Sequence, residues 1–170
     1  MASAIVFVGV PGAGKTTVGK RVAQQLNLPF FDSDQVIEQR SGKSVSDIFL
    51  QDGEPIFRAQ EASVIAELLQ QGDCVVSLGG GALANDSTRA LVKSANCVWL
   101  ETGLAQAVER VGMNRNRPLL LGNVRGQLAD LMSAREPFYR EVASHTVNTS
   151  ALGVDEVASA IVTILTSETQ

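Results

Sequence analysis

Residues 4–16, AIVFVGVPGAGKT, join an apolar run of strand length to a glycine-rich turn that ends in Lys15 and Thr16. The segment Gly9–Thr16 fits the spacing G-x-x-x-x-G-K-[ST], with a strand pattern before it and a helical pattern after it, which is the context that spacing requires. Gly9, Gly12 and Gly14 leave backbone N–H groups free to approach phosphate oxygens, and the following helix presents its positive end to the same anion. Gly12, Ala13, Gly14, Lys15, Thr16 and Thr17 are therefore the candidate nucleotide-binding residues. Lys15 places a point charge at the β and γ phosphates, and the Thr16 hydroxyl is a candidate Mg²⁺ ligand. A nucleoside triphosphate site follows. The N-K-x-D element that recognises guanine does not occur, so ATP is the expected nucleotide.

Working outward, apolar runs of strand length recur at Ala4–Val10, Leu28–Phe31, Cys74–Leu78, Cys97–Leu100 and His145–Asn148, with helical patterns between them. Strands alternating with helices imply a parallel sheet covered by helices on both faces. Val18, Val22 and Leu26 share a helix face that Asn27 and Pro29 terminate. Ser44 with Asp47 resembles a capping box opening a short helix through Phe49. A longer helix starts near Glu54 and Pro55, buries Phe57 or Ile56 with Val64, Ile65 and Leu68, and stops at Gly72. Val154, Val157, Ile161, Ile164 and Leu165 form the last apolar face.

A chain of 170 residues is long enough for one sizeable core and short for two, so a single domain over 1–170 is expected. Its net charge of -4 and pI near 5.0 exclude a general nucleic-acid or anionic-membrane binder and point to small partners. The run Ala4–Val10 is too short to span a bilayer, which makes a cytoplasmic location the expectation. Cys74 and Cys97 each open an apolar run and read as inert core thiols. His145 reads as structural.

LPFFDSD sets Asp32 and Asp34 at the C-terminal end of a strand, the edge of an open α/β sheet where ligands collect. Asp32 could hold Mg²⁺ through water and Asp34 could orient or deprotonate an acceptor hydroxyl. An Asp just before VIEQR also suits a helix N-cap, contributing about 1 kcal/mol. Arginine outnumbers lysine ten to four, which suits two-point recognition of carboxylate or phosphate. By spacing alone Arg58 in IFRAQE reads as a surface partner of Glu54 and Glu61. The segment Val111–Asn123, placed between the fourth strand and the next helix, reads equally as a surface loop and as a segment closing over ATP. Arg135 in SAREPFYRE, at the end of a helix, also suits the helix dipole without any ligand. A second glycine run, SLGGGA, ends the strand Cys74–Leu78.

Taken in order, GVPGAGKT, FFDSD, IFRAQE, SLGGGA, RPLL and REPFYR resemble shikimate kinase from Ile5 to about Thr149. The resemblance implies a P-loop three-layer α/β/α fold of the nucleoside monophosphate kinase kind, with a five-stranded parallel sheet in the order 2-3-1-4-5. It implies acceptor-binding helices at about 33–61, a mobile lid at about 112–124 and a monomer. The implied reaction is transfer of the ATP γ-phosphate to the 3-hydroxyl of shikimate, on the route to aromatic amino acids. Gly79, Gly80 and Gly81 would bring backbone N–H groups close to shikimate, Asp34 would contact its ring hydroxyls, and Arg58 and Arg135 would pair with its carboxylate. Phe49 and Phe57 would pack beside the ring and Glu61 would orient the arginine. Lys15, Asp34 and Arg117 would be the catalytic residues, Arg110 would lie near adenine, and Thr16 with Asp32 would hold the metal. The chain departs from the family pattern after Thr149, where SALGVDEV lacks the basic residues some members carry around adenine.

Overall fold

The computed structural model describes residues 3–113 and 123–169. Strands β1 (Ile5–Val8), β2 (Phe30–Asp32), β3 (Val75–Ser77), β4 (Asn96–Glu101) and β5 (His145–Asn148) form one all-parallel sheet in the order β2-β3-β1-β4-β5. This is the order that the resemblance implies. β1 and β3 are buried throughout and β4 except at its ends, whereas β5 at the edge alternates between half-buried and exposed. Strands covered on both faces need unbroken apolar runs, and an edge strand does not.

The helices are α1 (Lys15–Leu26), α2 (Ser33–Ser41), α3 (Val45–Gln51), α4 (Glu54–Gln71), α5 (Asp86–Lys93), α6 (Leu104–Met113), α7 (Val124–Val142) and α8 (Val154–Ser167). α1 begins at Gly14, whose φ of 91° is a left-handed conformation that suits glycine, and stops at Asn27, where φ is 55°. Val18 and Val22 are its buried stripe. Ser44 Oγ accepts the Asp47 N–H at 3.1 Å and starts α3, as its spacing implies. In α4 the buried aromatic is Phe57, and Ile56 is 49% exposed. α8 packs on α1 through Val157, Ala158 and Ile161. Val154 lies outside that face, because the first turn of α8 is exposed and meets α1 through an Arg21–Asp155 ion pair at 2.9 Å.

Two segments differ from the sequence expectation. The chain does not pass from β4 to a loop at Val111, because α6 intervenes and runs through Gly112. Ala107 and Val111, one turn apart, are buried there, and a β-carbon on Gly12 would lie 2.9 Å from the Ala107 carbonyl oxygen and 3.1 Å from Val111 Cγ2. Packing on the glycine turn therefore outweighs the local helix cost of Gly112. Arg135 is likewise not at a helix end: α7 continues through Pro137 to Val142. Burial of Tyr139 and Val142, each 2% exposed, holds the helix together past the missing proline N–H. The helix-dipole reading of Arg135 falls with that correction.

β1 pairs with β3 on one side and β4 on the other, and the connections after β1 and β3 lead to different elements, α1 and the 3-10 turn Ala82–Ala84. A crevice at the carboxyl ends of such neighbours is where open α/β sheets take ligands. Among the described residues no helix is long and apolar enough to cross a membrane. Cys74 and Cys97 are buried and free, and burial pushes the Cys97 thiol up to about 12.

Phe7, fully buried in the central strand, is the most direct probe of this core. Phe7→Ala should lower unfolding stability by about 3–5 kcal/mol, read as a fall in the urea midpoint at unchanged slope. A loss under about 1 kcal/mol would place Phe7 outside the core.

Candidate functional site

The N-terminal glycine turn is held from two directions. Lys15 Nζ donates to the Gly9 carbonyl at 2.7 Å and the Val10 carbonyl at 3.0 Å, folding the ammonium over the mouth of its own loop. From α6, Arg110 Nη1 donates to the carbonyls of Gly12 and Ala13 at 3.1 and 3.2 Å. Both contacts turn carbonyl oxygens toward cations, which leaves the loop amides to face an anion. Ala13 is buried, whereas Thr17 is on the exposed side of the first turn of α1.

Thr16 Oγ1 donates to Asp32 Oδ2 at 2.9 Å. The other Asp32 oxygen accepts the N–H groups of Asp34 and Gln35 at 2.9 and 3.2 Å, so the N-cap of α2 is Asp32 and not Asp34. One carboxylate thus caps a helix and faces the nucleotide turn, and Asp34 is released from capping. Thr16 and Asp32 are hard oxygen ligands of the kind Mg²⁺ accepts. Among the described residues no group of three or more His, Cys, Asp and Glu side chains converges, so an ion here would complete its shell with phosphate oxygens and water, as Mg²⁺ commonly does.

The second glycine run meets this site from β3. The register of β1 with β3 pairs Phe7 with Ser77, and the Leu78 N–H donates to the Phe7 carbonyl at 3.1 Å, so the two glycine turns leave the sheet side by side. A β-carbon on Gly79 would lie 2.7 Å from Asp34 Oδ1 and 3.1 Å from Glu61 Oε2. One on Gly80 would lie 2.7 Å from Arg135 Nη1, and one on Gly81 2.5 Å from Arg58 Nη2. None of the three has a left-handed φ. Glycine matters here for space: charged side chains from α2, α4 and α7 reach the volume that side chains of this loop would enter and would have to move aside for them.

Arg58 is paired with both glutamates as its spacing suggests, at the surface with Glu54 but not with Glu61. Nη1 donates to Glu61 Oε1 at 2.8 Å and Nε to Glu54 Oε1 at 3.4 Å, with the Glu61 side chain only 4% exposed. The guanidinium also lies 5.3 Å from the ring centre of Phe57 and 5.8 Å from that of Phe49, and the two rings are 4.8 Å apart. An aromatic wall and a buried carboxylate therefore fix one arginine. Burial holds the Glu61 carboxyl above the ordinary range, and the hydrogen bond and charge of Arg58 oppose that shift. The negative charge of Asp34 raises it further.

Asp34, Phe49, Phe57, Arg58, Glu61, Gly79, Gly80, Gly81 and Arg135 thus gather at one end of the crevice, and Lys15, Thr16, Asp32 and Arg110 at the other. Arg117 and most of the expected lid at 112–124 lie outside the described residues. His145 Nε2 lies 3.2 Å from Glu168 Oε2, at the opposite end of the sheet from the crevice. Sequence reasoning missed Ser33, buried between the two carboxylates, whose only signal was its place in D-S-D.

The family model for shikimate kinase matches residues 11–166. The chain is 49% identical over 156 residues to shikimate kinase of Thermobifida fusca, covering 92% of this chain and 91% of that protein. It is 41% identical over 163 residues to shikimate kinase of Rhodococcus jostii, covering 95% and 97%. Among solved structures, shikimate kinase from Acinetobacter baumannii in complex with shikimate aligns with a TM-score of 0.94 at 36% identity, covering 99% of this chain and 95% of that one.

The raised Glu61 carboxyl gives a pH dependence with a definite sign. Between its ordinary and folded values the native chain binds more protons than the unfolded one, so this group's contribution is present at low pH and is lost as pH rises through the folded value. Urea unfolding of the wild type and Glu61→Gln over a pH series should show the wild type losing stability relative to the variant as pH rises. A difference independent of pH would contradict the buried-carboxyl account.

Proposed function

The chain belongs to the shikimate kinase family and phosphorylates the 3-hydroxyl of shikimate with ATP, and we propose the following division of labour among its residues. The observation that carries it is the convergence of Asp34, Glu61, Arg58 and Arg135 on Gly79–Gly81, beside a phosphate-binding turn on the adjacent strand.

The backbone amides of residues 12–17 bind the triphosphate, and Lys15 reaches the β and γ phosphates once these replace the loop carbonyls it now contacts. Arg110, already fixed on the carbonyls of Gly12 and Ala13, borders the adenine side. Mg²⁺ would be held by Thr16 and, through water, by Asp32; when bound it neutralises charge on the β and γ phosphates. The donor set of a hydroxyl and a carboxylate 2.9 Å apart fits that ion.

At the other end Arg58 and Arg135 pair with the shikimate carboxylate, Glu61 orients Arg58, and Phe49 and Phe57 pack beside the ring. Asp34 holds the ring hydroxyls, including the one phosphorylated. Phosphoryl transfer through a loose transition state needs alignment and positive charge more than a strong base, so Asp34 serves mainly to aim the 3-hydroxyl at the γ phosphorus. The glycine run lets the acceptor approach along backbone, where a side chain would fill the space.

An ADP-release assay across shikimate, gluconate and nucleoside monophosphates tests the acceptor. Shikimate should be preferred by orders of magnitude, and preference for another acceptor would defeat the reading. In the same assay Arg58→Ala should weaken shikimate binding by about 2–5 kcal/mol with little change for ATP. Equal losses for both substrates would mark a folding defect instead.

A further inference from the structure

The Gly79–Gly81 run has no side chains with which to fix itself, and we propose that Ser33 and Arg89 hold the acceptor loop by its two ends, as positioning residues. This inference rests on the reaction assigned above. At the entry, the Gly79 N–H donates to Ser33 Oγ at 3.1 Å, and Ser33 is 0% exposed. Ser33 stands between Asp32, which receives the Thr16 hydroxyl, and Asp34, whose Oδ1 fronts Gly79. One hydroxyl therefore ties the acceptor loop to the turn that carries a carboxylate for each half of the site. It also occupies the Gly79 N–H, so the amides that face the acceptor are those of Gly80 and Gly81.

At the exit, Arg89 in α5 donates from Nη1 to the Leu83 carbonyl at 2.7 Å. Its guanidinium is itself fixed, with Nε 3.1 Å from Glu141 of α7, a further contact to Asp86, and the Phe138 ring centre at 4.5 Å. Glu141 and Phe138 lie on α7, the helix that presents Arg135 to Gly80, so the exit anchor and the acceptor arginine share one support. Between the anchors the turn closes on itself, through Ala82 N–H to the Gly79 carbonyl and Ala84 N–H to the Gly81 carbonyl, both at 3.2 Å.

Three successive glycines have more backbone freedom than any other tripeptide. Without outside anchors, ordering them would be charged against acceptor affinity, and small misplacements would lower turnover. The nucleotide turn has its own anchors in Arg110 and Lys15, so loosening this loop should reach the acceptor alone.

The test uses Ser33→Ala, Ser33→Thr and Arg89→Met in the full chain, with each substrate varied in turn. ADP binding is measured by calorimetry without acceptor, and thermal melts set an assay temperature well below the lowest midpoint. In Ser33→Ala and Arg89→Met the shikimate KM should rise about tenfold or more, because each removes the side-chain partner of a half-buried backbone group at one end of the loop. ATP KM and ADP affinity should stay within about twofold, and Ser33→Thr, which keeps the acceptor oxygen, should lie closer to wild type than Ser33→Ala. Parallel losses for both substrates, or an unchanged shikimate KM in either Ser33→Ala or Arg89→Met, would overturn the clamp. A wild-type chain inactive on shikimate would instead defeat the parent assignment, so the two failures are distinct.

Discussion

The parallel pairing of β1 with β3 is the constraint from which the rest of the site follows. It sets Phe7 opposite Ser77 in register, so the strands end at the same level and release two glycine turns next to each other. The residues that follow join different elements at the carboxyl rim of the sheet, which is where open α/β sheets take ligands. A slip of one residue would exchange the side chains that β3 sends to its two faces, and both faces are packed.

Around that crevice four charged residues are restrained by something that is not substrate. Lys15 rests on loop carbonyls, Arg110 on the carbonyls of Gly12 and Ala13, Arg58 on Glu61, and Asp32 on both Thr16 and the first amides of α2. Fixed donors and charges lose little on reorganisation when a phosphoryl group passes between two anions, which is how electrostatic preorganisation lowers a barrier. The burial of Glu61 is the cost of one such restraint. Loss of water raises the Glu61 carboxyl while Arg58 opposes that shift, and removing Arg58 would leave a buried carboxyl without its ion-pair partner.

The architecture was legible because each strand carries its own apolar run and each glycine turn its own spacing. What sequence could not supply was tertiary compensation. Gly112 and Pro137 read locally as breaks, yet packing of Ala107, Val111, Tyr139 and Val142 carries α6 and α7 through them. The depth of the Arg58–Glu61 pair was equally hidden, since a spacing of three residues is the same on a wet face and a dry one. By its place before VIEQR Asp34 also suited a cap, and the structure gives that task to Asp32, two residues earlier. Ser33 and Arg89 carried no motif of their own, because their partners, Gly79 and Leu83, become neighbours only when the chain folds.

The central claim is spatial: nucleotide and acceptor meet across the β1–β3 rim. A crystal structure of the chain with ADP and shikimate tests it most directly. The account predicts the diphosphate on residues 12–17, and the shikimate ring against Gly79–Gly81 with its carboxylate within hydrogen-bond reach of Arg58 and Arg135. A ring lodged elsewhere, with both guanidiniums turned away from it, would contradict the account.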